Sequence, residues 1–120
     1  MTTKTSNPQR GEIWNISFDP QVGDEIKKIR PAVVLSDNNI GILKLRIVVP
    51  ITAWQKSFEG CPWLVQMPKS ENSGLDKISV ADAFQVKSIS LDRFVDKRGE
   101  LKAKTLDEVV AGVALCIGFS

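Results

Sequence analysis

The chain has 120 residues, of which 42% are hydrophobic and 25% charged, with a formal net charge of +2. That balance is ordinary for one soluble domain able to bury a core, and so mild a charge does not imply a long electrostatic footprint on duplex DNA, although a local basic rim can still grip a few phosphates. Histidine is absent, which removes the usual acid–base residue, every Ser–His or Cys–His nucleophile pair and the most common metal ligand, and leaves any catalysis to Arg, Lys, Asp, Glu, Ser or Thr.

No apolar run approaches a membrane span, and the polar leader has no hydrophobic stretch of the kind that directs secretion, so the chain is expected in the cytoplasm. Cys61 and Cys116 are far apart in sequence and read as buried thiols, not as a zinc site or a disulfide framework. Residues 1–9 are expected to form a flexible leader and residues 10–120 a single domain.

In chain order, Ile13, Trp14, Ile16 and Phe18 alternate only partly with polar residues and predict a first strand. Asp19-Pro20 and Gly23 mark a long turn that passes through Asp24 and Glu25 to the basic Lys27, Lys28 and Arg30. Residues 31–36 predict the second strand. Residues 43–52 predict a third, whose run Ile47, Val48, Val49 suggests burial on both faces, with Pro50 at a bulge or an edge. Residues 61–67 read as a further strand with Trp63 in the core, and 70–74 as a turn. Residues 78–86 form an apolar run into which Asp82 and Gln85 are set; 89–94 read as a turn or 3₁₀ piece. Residues 95–101 read as a last strand, unless Arg98-Gly99 turns. The terminal helix is announced by Thr105 and Glu108 at capping-box spacing. Leu106, Val109, Val110, Val113 and Ile117 share one of its faces, and Gly118 is its stop. Several short strands, long loops and one terminal helix predict a small mainly β barrel or sandwich.

Arg30 stands where the charged loop meets the rigid sheet. Pro31 bars a helix and biases Arg30 toward extended backbone, so a planar, five-donor group suited to phosphate projects from the rim of the fold. The same stretch also reads as a plain charged hairpin loop, its charges solvated. Thr52 equally reads as an ordinary strand-end residue satisfied by local backbone. Trp14 reads as core or loop support.

Taken in order, the motifs Arg10-Gly11-Glu12-Ile13-Trp14, Asp19-Pro20, Gly23-Asp24-Glu25 and Arg30-Pro31-Ala32-Val33-Val34-Leu35-Ser36 closely resemble the opening of the MazF/PemK family of toxin endoribonucleases. The resemblance continues through Ile47-Val48-Val49-Pro50-Ile51-Thr52, Gly74-Leu75-Asp76-Lys77-Ile78-Ser79-Val80, Gln85-Val86-Lys87-Ser88-Ile89 and Ile117-Gly118-Phe119. It implies an SH3-like barrel with a C-terminal helix, acting as a homodimer that cuts single-stranded RNA without a metal or other cofactor. The cut would proceed by attack of the 2′-hydroxyl, leaving a 2′,3′-cyclic phosphate and a 5′-hydroxyl, and a MazE-like antitoxin would occupy the RNA groove. The family pattern puts the catalytic arginine on Arg30, the catalytic threonine on Thr52 and an acidic loop residue on Glu25. Lys27, Lys28, Trp54, Gln85 and Lys87 are the candidate RNA-binding residues: Trp54 either stacks an RNA base or packs at a dimer contact, and Gln85 and Lys87 either reach base edges or phosphate or only face solvent. This chain departs from many relatives in carrying Phe84, not an acid, before Gln85, although Asp82 is near. Two other readings are a toxin of the same fold that acts on DNA gyrase by protein contact, and an inactive SH3-like binding module.

Overall fold

The computed structural model describes residues 7–18, 29–40, 43–67, 70 and 72–119. The described residues form, in order, seven strands and one long helix: β1 (Glu12–Ser17), β2 (Ile29–Val34), β3 (Leu45–Ala53), β4 (Leu64–Met67), β5 (Ser79–Asp82), β6 (Lys87–Ser90), β7 (Phe94–Glu100) and α1 (Ala103–Cys116). The described pairings are antiparallel in the order β4-β5-β3-β2-β1-β7, with β6 also on β3, so the sheet curls like a small barrel without closing. No helix among the described residues is long and apolar enough to cross a membrane.

The apolar runs of the sequence are explained by two cores, one on each face of the sheet. Ile13, Val33, Val49 and Ile51 meet Val109 of α1 on one face, whereas Ile16, Ala32, Val34, Val48, Ile89 and Phe94 meet on the other. Side chains alternate along a strand, so neighbours such as Val48 and Val49 are both fully buried, each in a different core. Ile47 departs from the expected two-sided burial and is 45% exposed.

β3 is the strand on which the fold turns. Its first half pairs with β6 as far as Val48↔Lys87, and its second half pairs with β5 from Ile51↔Ala81. Pro50 falls between the two partners, where a missing N–H costs no ladder bond.

The chain is already anchored inside the stretch expected to fray. Pro8 is buried, and the buried Arg46 donates to Pro8 O at 2.9 Å and to Asn7 Oδ1 at 3.2 Å. Glu12 ties β1 to its surroundings: Oε1 accepts from Gln9 N–H and Trp14 Nε1, each at 2.9 Å, and Oε2 lies 3.2 Å from Lys97 Nζ on β7. Burial pushes the Glu12 carboxyl up, but those hydrogen bonds and the lysine charge outweigh it and hold the group below the ordinary 4.5. A lowered carboxyl stabilises the fold above its unfolded-state pKa, and that contribution is lost as pH falls through the folded value. Glu12→Gln is therefore expected to cost about 1 kcal/mol at neutral pH and progressively less below pH 4.5, read from urea midpoints across pH.

Several sequence expectations are corrected. The helix does not use the Thr105–Glu108 capping box. It starts at Ala103, with Lys102 at the N-cap and no side-chain cap. The reason is tertiary: Leu101 N–H donates to Gly11 O at 2.9 Å, which fixes the chain up to the helix entrance and leaves Thr105 inside the first turn. Leu106, Val109, Val110 and Val113 pack on the core as expected, but Ile117 lies past the last turn and is 71% exposed. Gly118 does stop the helix. With φ +80°, it closes a Schellman motif in which its N–H reaches Leu115 O and that of Phe119 reaches Ala114 O.

Trp63 lies in the turn before β4, not in the core, half-buried with its ring tilted against the exposed Phe84 at 5.9 Å. Trp14 supports the second core as expected, edge-on to Phe94. Cys61 and Cys116 are only half-buried. Arg98-Gly99 is not a turn. β7 runs through it, but the register jumps from Ile13↔Gly99 to Trp14↔Lys97, so Arg98 is the extra residue of a bulge.

Candidate functional site

The β2–β3 ladder runs Val34↔Val48, Val33↔Val49, Ala32↔Pro50 and then ends. Two residues further on each strand come Arg30 and Thr52, which the same register would set opposite one another. The strands have parted by then: Arg30 pairs with Ile16 of β1, and Thr52 pairs with Val80 of β5. The handover of β3 from one set of partners to the other thus opens a fork with Arg30 on one prong and Thr52 on the other.

Two adjoining clefts meet at this fork and share Arg30, Ile51 and Thr52. The larger, of about 500 Å³, is completed by Phe18, Pro50, Phe58, Asp82, Gln85 and Lys87. The smaller, of about 250 Å³, is completed chiefly by Leu75, Asp76, Lys77 and Arg98. Arg30 is exposed and, among the described residues, forms no ion pair, so its guanidinium fork is open to a ligand. Thr52 is half-buried.

The walls are built by local rules. Asp82 ends β5 and caps the 3₁₀ turn Ala83–Gln85, accepting from Phe84 N–H at 3.2 Å; its other oxygen accepts from Gln85 Nε2 at 2.8 Å. Although Phe84 and not an acid stands directly before Gln85, an acid–amide pair is still made, by Asp82 one 3₁₀ turn before the glutamine, while Phe84 itself packs beside Trp63. Lys87 Nζ stands 5.1 Å from the centre of the Phe18 ring, which holds a cation at the rim. Across the fork, the bulged Arg98 donates twice to Gly74 O, at 3.1 and 2.6 Å, and once to Asp76 Oδ2 at 3.2 Å, binding the segment around residues 74–77 to β7.

Of the residues singled out from sequence, Arg30, Thr52, Gln85 and Lys87 come together at one cleft. Trp54 does not line either cleft; its N–H donates to Ile78 O at 3.0 Å. Glu25, Lys27 and Lys28 lie outside the described residues. The sequence reading did not single out Phe18, Phe58, Asp76, Lys77 or Arg98 as cleft residues. The only signal for Asp82 as a partner of Gln85 was their spacing.

Comparison with known proteins decides what family presents this cleft. Residues 9–117 match the family described as the PemK-like, MazF-like toxin of type II toxin-antitoxin system. The chain belongs to that family. It is 34% identical to the endoribonuclease toxin MazF of Escherichia coli K12 over 116 residues, covering 92% of this chain and 95% of that protein. It is 31% identical to endoribonuclease MazF9 of Mycobacterium tuberculosis over 107 residues, covering 84% of this chain and 88% of the relative. Among solved structures, a MazE-MazF crystal form from Deinococcus radiodurans superposes with a TM-score of 0.79 at 29% identity, covering 96% of this chain and 99% of that one. A MazF crystal structure from the same organism gives 0.75 at 29% identity, covering 94% and 98%. The family fold, mainly β with one C-terminal helix, is the one the registers above describe.

Proposed function

We propose that this MazF/PemK-family toxin is a sequence-selective endoribonuclease that cuts single-stranded RNA, and so messenger RNA, without a metal. The observation that carries the reading is the fork: an open guanidinium and a threonine hydroxyl on parted strands, at the junction of two clefts that can take the nucleotides on either side of one phosphate.

In this mechanism the 2′-oxygen of one nucleotide attacks the adjacent phosphorus, forming the cyclic P–O bond as its proton leaves. The P–O bond to the 5′-oxygen breaks, and that oxygen takes up a proton to become the 5′-hydroxyl. Between the two events the phosphoryl oxygens carry extra negative charge. Arg30 and Thr52 are the donors that stabilise it, and this charge is where fixed donors act most strongly. A guanidinium donates and does not accept, so Arg30 is assigned to charge stabilisation and to proton supply at the leaving oxygen, not to the base step. Glu25 is assigned to orient Arg30 or to receive the 2′ proton. Lys87, with Lys27 and Lys28, holds flanking phosphates. Trp54, outside both clefts, meets a base only where the strand leaves them.

Incubation with a long mixed-sequence RNA in EDTA is expected to yield discrete cuts, with cyclic-phosphate and 5′-hydroxyl ends on mapping. Folded protein that leaves the RNA intact would overturn the reading.

The partners proposed are the RNA, a MazE-like antitoxin, as in the complexes solved for Deinococcus MazF, and a second copy of the chain, all in the cytoplasm. The homodimer is supported by exposed apolar side chains around one groove beside the helix end: Ile47 at 45%, Ile117 at 71% and Phe119 at 74%. Sedimentation is expected to show a dimer at micromolar concentration, and a stable monomer there would rule it out.

A further inference from the structure

An exposed glutamine amide ordinarily turns over freely, presenting its nitrogen or its oxygen to a ligand. Gln85 is exposed, yet Asp82 removes that freedom. Asp82 uses one oxygen on Phe84 N–H and the other on Gln85 Nε2. A carboxylate has only acceptors to offer, so the amide must turn its nitrogen toward Asp82 and its oxygen away. The support under the pair is rigid. Ala83 N–H donates to Trp63 O at 3.2 Å, Val86 N–H donates to Ala83 O at 3.3 Å, and α1 closes on the turn through Gly112, where an added Cβ would stand 3.0 Å from Ala83 Cβ. One acceptor and one remaining amide hydrogen are thus held in a fixed order at the wall of the cleft that contains Arg30 and Thr52.

Resting on the RNA-cutting reading above, we propose that Asp82 is a positioning residue that locks the Gln85 amide to read the edge of one RNA base beside the cut, so that the pair sets one position of the cleavage sequence. Single-stranded RNA exposes its base edges to such groups. A donor and an acceptor in fixed order match an edge of complementary order and reject the reverse, which leaves donor facing donor and acceptor facing acceptor. Phe58 in the same cleft supplies a face on which that base can stack.

The test is cleavage-site mapping on a randomised RNA pool with the full-length wild type, Asp82→Asn, Asp82→Ala and Gln85→Ala, each checked for folding by thermal melting. Asp82→Asn keeps an oxygen for Phe84 N–H but turns an N–H₂ toward Gln85, which reverses the amide. Its preferred base at one position should therefore change, altering the ratio of cutting between two bases by about tenfold, near the low end of what one pair of hydrogen bonds discriminates. Asp82→Ala and Gln85→Ala should flatten preference at that same position while the other positions hold. If the variants cut the same sites in the same ratios, the pair is only a turn cap and the proposal fails; a uniform loss of rate with unchanged site preference overturns it equally. If Asp82→Ala does not fold, Asp82→Asn decides. If the wild type cuts no RNA, the nuclease reading fails, and this inference with it.

Discussion

Arg30→Ala is expected to lower RNA cleavage by about 10²–10³-fold, the cost of removing one donor aimed at charge that develops in the transition state. The loss should fall mainly on kcat. In the proposed mechanism the neighbouring Lys87 and the cleft walls still bind the strand, whereas the guanidinium acts most strongly once charge has built up on the phosphoryl oxygens. Arg30→Lys should recover only a small part, because an ammonium keeps the charge but not the planar fork that spans two oxygens. The fold should survive both changes, since Arg30 is exposed and has no ion pair among the described residues. Single-turnover cleavage of a mapped site, beside melting curves, checks this. Cutting by the alanine variant at the wild-type rate would remove Arg30 from the chemistry.

The second large effect concerns stability. Gly74 has φ +71°, and a Cβ there would stand 2.1 Å from Arg98 O; at Gly99 it would stand 2.2 Å from Asn72 O. Both contacts are with backbone, which cannot swing aside as a side-chain tip can. Relief would require the 72–76 segment to lift from β7, breaking the Glu100 N–H bond to Asn72 O and the Arg98 bonds to Gly74 O. Alanine at either glycine is expected to cost roughly 3 kcal/mol or more, at the high end for single substitutions. At about 4 °C per kcal/mol for a chain of this size, melting should fall by more than about 10 °C. Gly60 supplies the control. It has φ +81° but nothing within 4 Å of an added Cβ, so Gly60→Ala should cost only the left-handed backbone, about 1–2 kcal/mol. Equal losses at Gly74 and Gly60 would show that conformation, not contact, sets the cost at Gly74, whereas Gly99, whose φ is not positive, tests contact alone. The smaller cleft should suffer with the clamp, because Asp76 and Lys77 of its wall are held by it.

The parts of the fold legible in the sequence are those that local pattern dictates. The Ala32–Val34 run, the Val48–Val49 pair and the helix face from Leu106 to Val113 announce burial by their spacing alone. What escaped is set by contacts distant in sequence. The helix start is fixed by Gly11 reaching Leu101, not by a capping side chain, so the Thr105–Glu108 spacing misled. The Arg98 bulge has the composition of both a strand and a turn, and only the register with β1 separates them. Trp63 has the hydrophobicity of a core residue but sits in the turn that precedes β4. At the site, Arg30 and Thr52 were legible through family motifs, and their meeting follows from a register that no single stretch contains. Asp82 was legible only as a nearby acid, because a 3₁₀ turn that starts at the end of a strand reads as more strand.

The fork also fixes when, during synthesis, the cleft can exist. Arg30 and Thr52 are made early, but the wall carrying Asp82, Gln85 and Lys87 is made more than halfway along the chain, and the outer partner of β1 is the last strand, β7. Long-range pairing of this kind forms only when both strands are available. A chain still emerging from the ribosome therefore lacks the far wall and the outer strand of its sheet. A nascent chain thus cannot present the finished cleft before the segment through Lys87 has been made, nor the full sheet behind it before β7 has followed.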